Sequence, residues 1–405
     1  MTDSTTDESQ KPIRTMFLLT TMPVGGAETL LVNLVRRLDR TRFEPEIACL
    51  KDKDELGEIM AKEVTVTSNY LTSKYDLRVL PKLASYMQTR KIEALVVVGA
   101  GDKMFWGRLA AYFANTPVVV SALHSTGWPD GVGKLNRMLT PITDGFIGVA
   151  EEHGRYLREE GGFPSDKVHV ISNGVDTDRF RRNVADGGMI RQEFGIPLDA
   201  PVCGILAALR PEKNHVLFLE GAQLVREQFP DAHFIIVGDG PEREQLEAKA
   251  RELKIDDTVH FLGTRQDIPA VLAAMNVMLL TSKMEANPVS ILEALSTEVP
   301  VVATRVGSVP TTVIDNETGF LVEPLDHRDL AEKVARVLKD TDNAERLGRN
   351  GRKLVQDKWS VDVMVKGYED LIQRIYDSKF PQNSKPAKLT SATEEHEEGL
   401  ATAGA

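Results

Sequence analysis

At 405 residues the chain is long enough for two domains of ordinary size, and 42% hydrophobic with 27% charged residues is the balance of a soluble globular protein. A net charge of −11 argues against nucleic acid as the main partner, because phosphate contacts need a basic surface. The two cysteines, Cys49 and Cys203, lie far apart in apolar strand-like runs, which predicts buried free thiols and offers no Cys/His metal spacing.

Residues 1–12, MTDSTTDESQKP, are polar and acidic, unlike a signal peptide, and read as a disordered leader. No apolar run approaches the roughly 20 residues that span a bilayer, so a cytoplasmic protein is expected, with peripheral contact at the inner membrane surface left open. Ile13–Thr20 reads as a first strand, Met22–Gly26 as a tight loop, and Ala27–Leu38 as a helix with its apolar stripe at Leu30, Leu31, Leu34, Val35 and Leu38. Read from the residues alone, Gly25-Gly26 is either a plain turn or a place where backbone and a helix N-terminus approach an anion. It is not the G-x-G-x-x-G fingerprint, so a nicotinamide cofactor is not indicated.

Strands are then predicted at Pro45–Leu50, Ala94–Val98, Pro117–Ser121 and Gly145–Val149, with helices at Asp76–Arg90, Met104–Asn115 and Glu151–Glu160. The alternation implies a mainly parallel, doubly wound sheet. His124 follows the third of these strands, either as a structural or solvated histidine or as a ligand group. Asn173-Gly174-Val175-Asp176 closes a strand at Val168–Ser172, and Asp176-Thr177-Asp178 reads as turn rather than metal motif. Residues 179–200 read as a linker with a short helix.

A second sheet begins at Val202–Leu206, runs into Arg210-Pro211-Glu212-Lys213-Asn214-His215, and continues with a helix at Val216–Gln228. His233–Val237, the turn Gly238-Asp239-Gly240-Pro241 and Val259–Gly263 follow; the turn is assigned no chemistry. Val277–Leu280 is a buried strand, after which Asn287-Pro288 is read as the cap and first position of a helix. On that helix Ile291, Leu292 and Leu295 make the apolar stripe, with Ser290, Glu293 and Thr297 on a polar face. Glu285 and Glu293 are thus two acids on one strand–loop–helix unit, solvated or beside a ligand at the strand ends. Helices near Arg328–Lys339 and Ala344–Lys358 follow, and residues 379–405, with Glu394-Glu395-His396-Glu397-Glu398, read as a disordered acidic tail.

Taken in order, Gly25-Gly26-Ala27-Glu28, Asn173-Gly174-Val175-Asp176, Lys213, Gly238-Asp239-Gly240-Pro241 and the Glu285-x7-Glu293 spacing resemble the motifs of the retaining family 4 glycosyltransferases of the GT-B fold, over residues 13–378. The resemblance implies an α/β protein of two doubly wound, Rossmann-like domains facing across a cleft. In these terms residues 13–178 are the acceptor-side domain, 179–200 the linker, 201–358 the nucleotide-sugar domain and 359–378 a closing helix that returns to the first domain. It implies transfer of a sugar from a nucleotide-sugar donor, UDP- or GDP-linked, to a hydroxyl in a glycan or lipid-linked acceptor, with retention of configuration. No metal and no cofactor beyond the donor are implied. Carried over by position, His124, Glu285 and Lys213 serve catalysis, and Gly25, Gly26, Arg210, Lys213, Asn287 and Glu293 bind the donor.

The chain departs from the family pattern at Ala208, where the family carries an arginine, and at Ser308 and Thr311, which replace a glycine and a glutamate. Those departures keep two alternatives open: a catalytically silent binding or regulatory protein on the same fold, and another reaction such as sugar-nucleotide epimerisation or phosphorolysis.

Overall fold

The computed structural model describes residues 11–72, 76–99, 101–123 and 137–381, without the side chains of residues 102 and 103. His124, the leader up to residue 10 and the tail beyond 381 lie outside the described residues.

Two parallel sheets organise the chain. The first holds β1 (Ile13–Leu19), β2 (Phe43–Cys49), β3 (Val66–Thr67), β4 (Ala94–Val98), β5 (Val118–Leu123), β6 (Gly145–Gly148) and β7 (Val168–Val170), in the spatial order β3-β2-β1-β4-β5-β6-β7. The second holds β8 (Val202–Leu206), β9 (His233–Val237), β10 (Val259–Gly263), β11 (Val277–Leu280), β12 (Val301–Thr304) and β13 (Gly319–Val322), in the order β10-β9-β8-β11-β12-β13. β1 pairs in parallel with both β2 and β4, and β8 with both β9 and β11. Strand order therefore reverses beside β1 and beside β8, and in open α/β sheets a ligand crevice forms at such a reversal, beyond the strand C-termini.

Both faces of each sheet are covered, which is why the strands read as continuous apolar runs. On β1, Phe17 and Leu19 feed one core layer while Met16 and Leu18 feed the layer on the opposite face. β8 divides likewise, Val202 and Leu206 against Cys203 and Ile205. Cys49 and Cys203 are buried free thiols, as expected, and burial pushes both up to about 12.

Two stretches change partners relative to their place in the sequence. Residues read as linker pack into the second domain: Phe180, Ile190, Ile196 and Ala200 join its core, and buried Arg191 donates to the carbonyls of Ala274, Leu198 and Ala200. The last helix, Val361–Lys379, capped by the Ser360 hydroxyl, packs into the core of the first sheet. Val361, Met364, Val365, Tyr368, Leu371, Ile372 and Tyr376 are its buried hydrophobic residues, at the three- and four-residue steps of one helix face, and Glu369 is buried with them. Among the described residues no helix is long and apolar enough to cross a membrane.

Candidate active site at the cleft between the sheets

The loops after β1, β8, β9, β10 and β11 converge on a cleft of about 420 Å³. From the first domain come Val24, Gly25 and Gly26, where the helix Gly26–Arg37 begins. That N-terminus presents backbone N–H groups and the positive end of the helix dipole to the cavity. The second domain supplies Ala207, Ala208 and Lys213 after β8, Thr264 and Arg265 after β10, and Glu285, Asn287 and Glu293 after β11.

Lys213 and Glu285 meet directly. The ammonium lies 2.7 Å from Glu285 Oε1, and the Ser282 hydroxyl donates to the same oxygen at 2.6 Å. Thr281 Oγ1 donates to the Lys213 carbonyl, tying the two loops together behind the pair. Glu285 is buried and Lys213 partly so, and a charge pair held by added hydrogen bonds is how a buried carboxylate is accommodated. The backbone that carries Glu285 leans on Gly307, whose φ of +49° lies in the left-handed region and whose missing Cβ would collide with the Glu285 carbonyl. Glu285 also walls a second cavity of about 420 Å³, lined from the first domain by Glu152, His153 and Tyr156 and completed by Met284, Ala286 and Gly307.

Glu293 stands on the helix Val289–Ser296, one end of its surroundings formed by the cleft. Burial pushes it up to about 7, opposed by the nearby Arg179 guanidinium. The polar face expected for this helix is not a solvated one: Glu293 turns into the cleft, and Thr297 is buried with its hydroxyl on the Glu293 carbonyl. Nor is Asn287 the helix cap. Pro288 occupies that position, and the Asn287 amide instead donates across the domains to the Val149 carbonyl at 2.6 Å. Asn173 Nδ2 donates back to the Asn287 carbonyl at 3.2 Å, so the NGVD turn and the β11 loop clasp one another.

Of the predicted site residues, Gly25, Gly26, Lys213, Glu285, Asn287 and Glu293 come together on one cavity. Arg210 does not join them; it is exposed at the start of the short Pro211–Lys213 turn, while Ala208 lines the cleft. Ser308 is buried with its hydroxyl unpartnered among the described residues, and the Thr311 hydroxyl donates to the Ser308 carbonyl within the turn. Asp176 also acts within its turn, accepting from the backbone of Asp178 and Arg179 and pairing with Arg37 at 2.6 Å. Among the described residues no group of three or more His, Cys, Asp and Glu gathers that could hold a metal ion.

Three lining or supporting residues were not singled out by sequence reasoning. Arg265 lines the cleft under the grip of Glu193 and Asp267. Gly238, in the turn given no chemistry, lets β9 pass against the Ala207 carbonyl at φ +134°. His215 is fully buried behind Lys213, and burial together with that ammonium lowers it to about 4, leaving the ring neutral.

Known proteins resemble this chain in sequence and in fold. Residues 24–179 match the family model described as glycosyltransferase family 4, and residues 188–354 the one described as glycosyl transferases group 1. The chain is 32% identical over 357 residues to a GDP-mannose-dependent alpha-(1-6)-phosphatidylinositol monomannoside mannosyltransferase of Mycolicibacterium smegmatis, an alignment covering 82% of this chain and 89% of that protein. It is 28% identical over 337 residues to the UDP-Gal:alpha-D-GlcNAc-diphosphoundecaprenol alpha-1,3-galactosyltransferase of Escherichia coli, covering 79% and 86%. The crystal structure of Anabaena HepE in complex with UDP and glucose superimposes with a TM-score of 0.78 at 22% identity, over 89% of this chain and all of that one. The fold expected from the sequence is therefore the observed one, and the chain belongs to the family 4 glycosyltransferases of the GT-B fold.

Proposed function

We propose that the protein moves a sugar from a UDP- or GDP-linked donor to a hydroxyl of a glycan or lipid-linked acceptor, with retention of configuration and without a metal ion. The observation that carries this reading is the meeting of Lys213, Glu285 and Glu293 from one domain with the Gly25–Gly26 helix start of the other on a single cleft. A departing nucleoside diphosphate builds negative charge, and a fixed ammonium and a helix N-terminus are groups that stabilise it. In this scheme Lys213 and the Gly25–Gly26 loop face the diphosphate, Glu293 accepts from the ribose hydroxyls, and Glu285 and His124 orient the sugar. Asn287 holds the donor loop against the first domain. A donor phosphate oxygen takes the acceptor's proton, so no pair of acid and base carboxylates is required.

The relatives supply the range of chemistry rather than the choice within it. One is named for GDP-mannose and a phosphatidylinositol acceptor, the other for UDP-galactose and a diphosphoundecaprenol-linked one. Both acceptors are lipid-anchored, which supports a role at the cytoplasmic membrane surface in glycan or polysaccharide synthesis.

The test is donor consumption by the purified protein across UDP-, GDP- and ADP-sugars, with and without a chelator, beside Lys213→Ala. We expect release of one nucleoside diphosphate, insensitive to chelator and reduced about 10²- to 10³-fold in the variant. Unchanged turnover in Lys213→Ala would refute its phosphate role. A second reading, a silent binding protein, is favoured by one observation: Ala208 lines the cleft where the family has an arginine, and Arg210 does not replace it. Donor binding without turnover in the presence of lipid-linked acceptors would establish that alternative.

A further inference from the structure

Two histidines meet on the outer strands of the second sheet. His233 opens β9 and His260 stands on β10, and the Nδ1 of the first lies 3.0 Å from the Nε2 of the second. Their ring centroids are 5.2 Å apart and their planes differ by 28°. A nitrogen–nitrogen contact of that length is a hydrogen bond only if one ring donates and the other accepts, so one of the two facing nitrogens carries no proton. The pair therefore tolerates one positive charge at most. With both rings protonated, two N–H groups point at each other between like charges, and the bond is lost.

The pair is half-buried, and the ring packed on it is Phe194, which directly follows the helix Val184–Glu193 and lies 6.1 Å from His260 at 64°. The same helix end carries Glu193 onto Arg265 at the cleft, and Arg265 covers the Phe194 ring at 5.8 Å with Asp267 also on its edge. Other charges face the pair from three further places. Arg191, buried on the linker helix, is held by the neutral oxygens of Ala274, Leu198, Ala200 and Asn276. Arg226, on the helix His215–Gln228, is closed at 2.6 Å by both oxygens of Asp257 in the turn before β10. Asp231 stands in the turn before β9.

Burial is the main reason that both imidazoles sit below their ordinary value of 6.5. His233 adds to it for His260, and Arg191 and Arg226 add to it for His233 against the opposing pull of Asp257. Below 6.5 the folded protein then binds fewer protons than the unfolded chain, so the stability that the pair contributes is complete above that value and is lost as pH falls.

We propose that the His233–His260 pair is an acid-sensitive latch on the linker helix: a second proton splits the pair, unseats Phe194 and the end of the helix Val184–Glu193, and loosens the hold of Glu193 on Arg265 at the cleft. The latch does not rest on the donor reading above, because its parts lie behind the cleft wall and act on the chain itself.

The test is made on the full chain from pH 8 to pH 5, by amide hydrogen exchange and by the ring ¹⁵N signals of protein carrying ¹⁵N-histidine. We expect the two rings to take up protons in separate steps. The protection of residues 184–200 and 264–267, relative to β1 and β4, should fall about tenfold for each pH unit below the second step. In His233→Asn/His260→Gln the side-chain amides keep a hydrogen bond at the two positions but do not titrate, so these residues should keep their protection down to pH 5. An intact nitrogen–nitrogen bond at pH 5, or protection that falls equally in wild type and variant, would overturn the latch. The wild-type signals decide alone where the variant does not fold: protection lost before the second ring takes its proton has the same meaning.

Discussion

Glu293 is a buried carboxylate whose ionisation opposes folding. Its ordinary value lies near 4.5 and burial raises it to about 7, so the folded protein holds a proton that the unfolded chain has released between those two pH values. Stability should therefore fall as pH rises from about 4.5 to about 7, by on the order of 3 kcal/mol, and be constant above that window. Glu293→Gln should remove this slope; a thermal melt followed across pH 4.5–8 reads it directly. Under the proposed function the ligand has the reverse effect, because ribose hydroxyls donating to the carboxylate favour its charged form. Nucleoside diphosphate affinity should then increase through pH 7 in the wild type and stay flat in Glu293→Gln. Equal slopes in the two proteins would remove Glu293 from the donor site.

The decisive element is the loop from Thr281 to Pro288, which binds three neighbours at once. It pairs Glu285 with Lys213, rests its backbone on Gly307, and reaches Val149 and Asn173 in the first domain through Asn287. Asn287→Ala removes one buried interdomain hydrogen bond, worth about 1 kcal/mol, and frees the Val149 carbonyl. We expect a larger radius of gyration in solution scattering and a raised donor KM with little change in kcat. A variant as compact as the wild type would show that the clasp does not hold the domains. Much of this element was legible beforehand. The apolar run of β11 and the Ile291, Leu292 and Leu295 stripe indicated the strand and the helix, and the spacing of the two acids carried the family resemblance. The role of Asn287 was not, because Asn before Pro is a cap signal by local chemistry, while the partner that claims its amide lies 138 residues away. Arg265 was hidden for the same reason: besides Asp267 close by in the chain, it is held by Glu193, 72 residues distant, which no local pattern announces. Gly238 offered a signal in its turn motif, yet a turn and a close backbone passage look alike in sequence.

At the scale of the molecule, the two domains do not follow the order of the chain. The helix Val361–Lys379 comes after the whole second domain and yet completes the core of the first, with Glu369 accepting from the Asp39 backbone and from Arg42. Seven buried side chains at roughly 1.5–3 kcal/mol each equal or exceed the net stability of an ordinary domain, about 5–15 kcal/mol. A chain ending at residue 360 should therefore leave the first domain open to hydrogen exchange while the second remains protected; full protection of β1 and β4 in that fragment would contradict the packing argument. The terminal helix itself was expected here from the family resemblance. The first domain as its destination came from the family resemblance, since an apolar stripe says that a face will be covered and not by what.

That displaced helix gives the protein an unusual timetable of synthesis. Residues 13–170 leave the ribosome first, but the surface that Val361–Tyr376 will cover stays bare until about 200 further residues have been made. At 5–20 residues per second this is an interval of ten seconds or more. During it the second domain, whose strands and linker are continuous in the chain, is free to form, so the half made second matures first. The nascent first domain is therefore the part that should engage chaperones, and a premature stop at residue 360 would release a chain with one finished domain and one exposed apolar face.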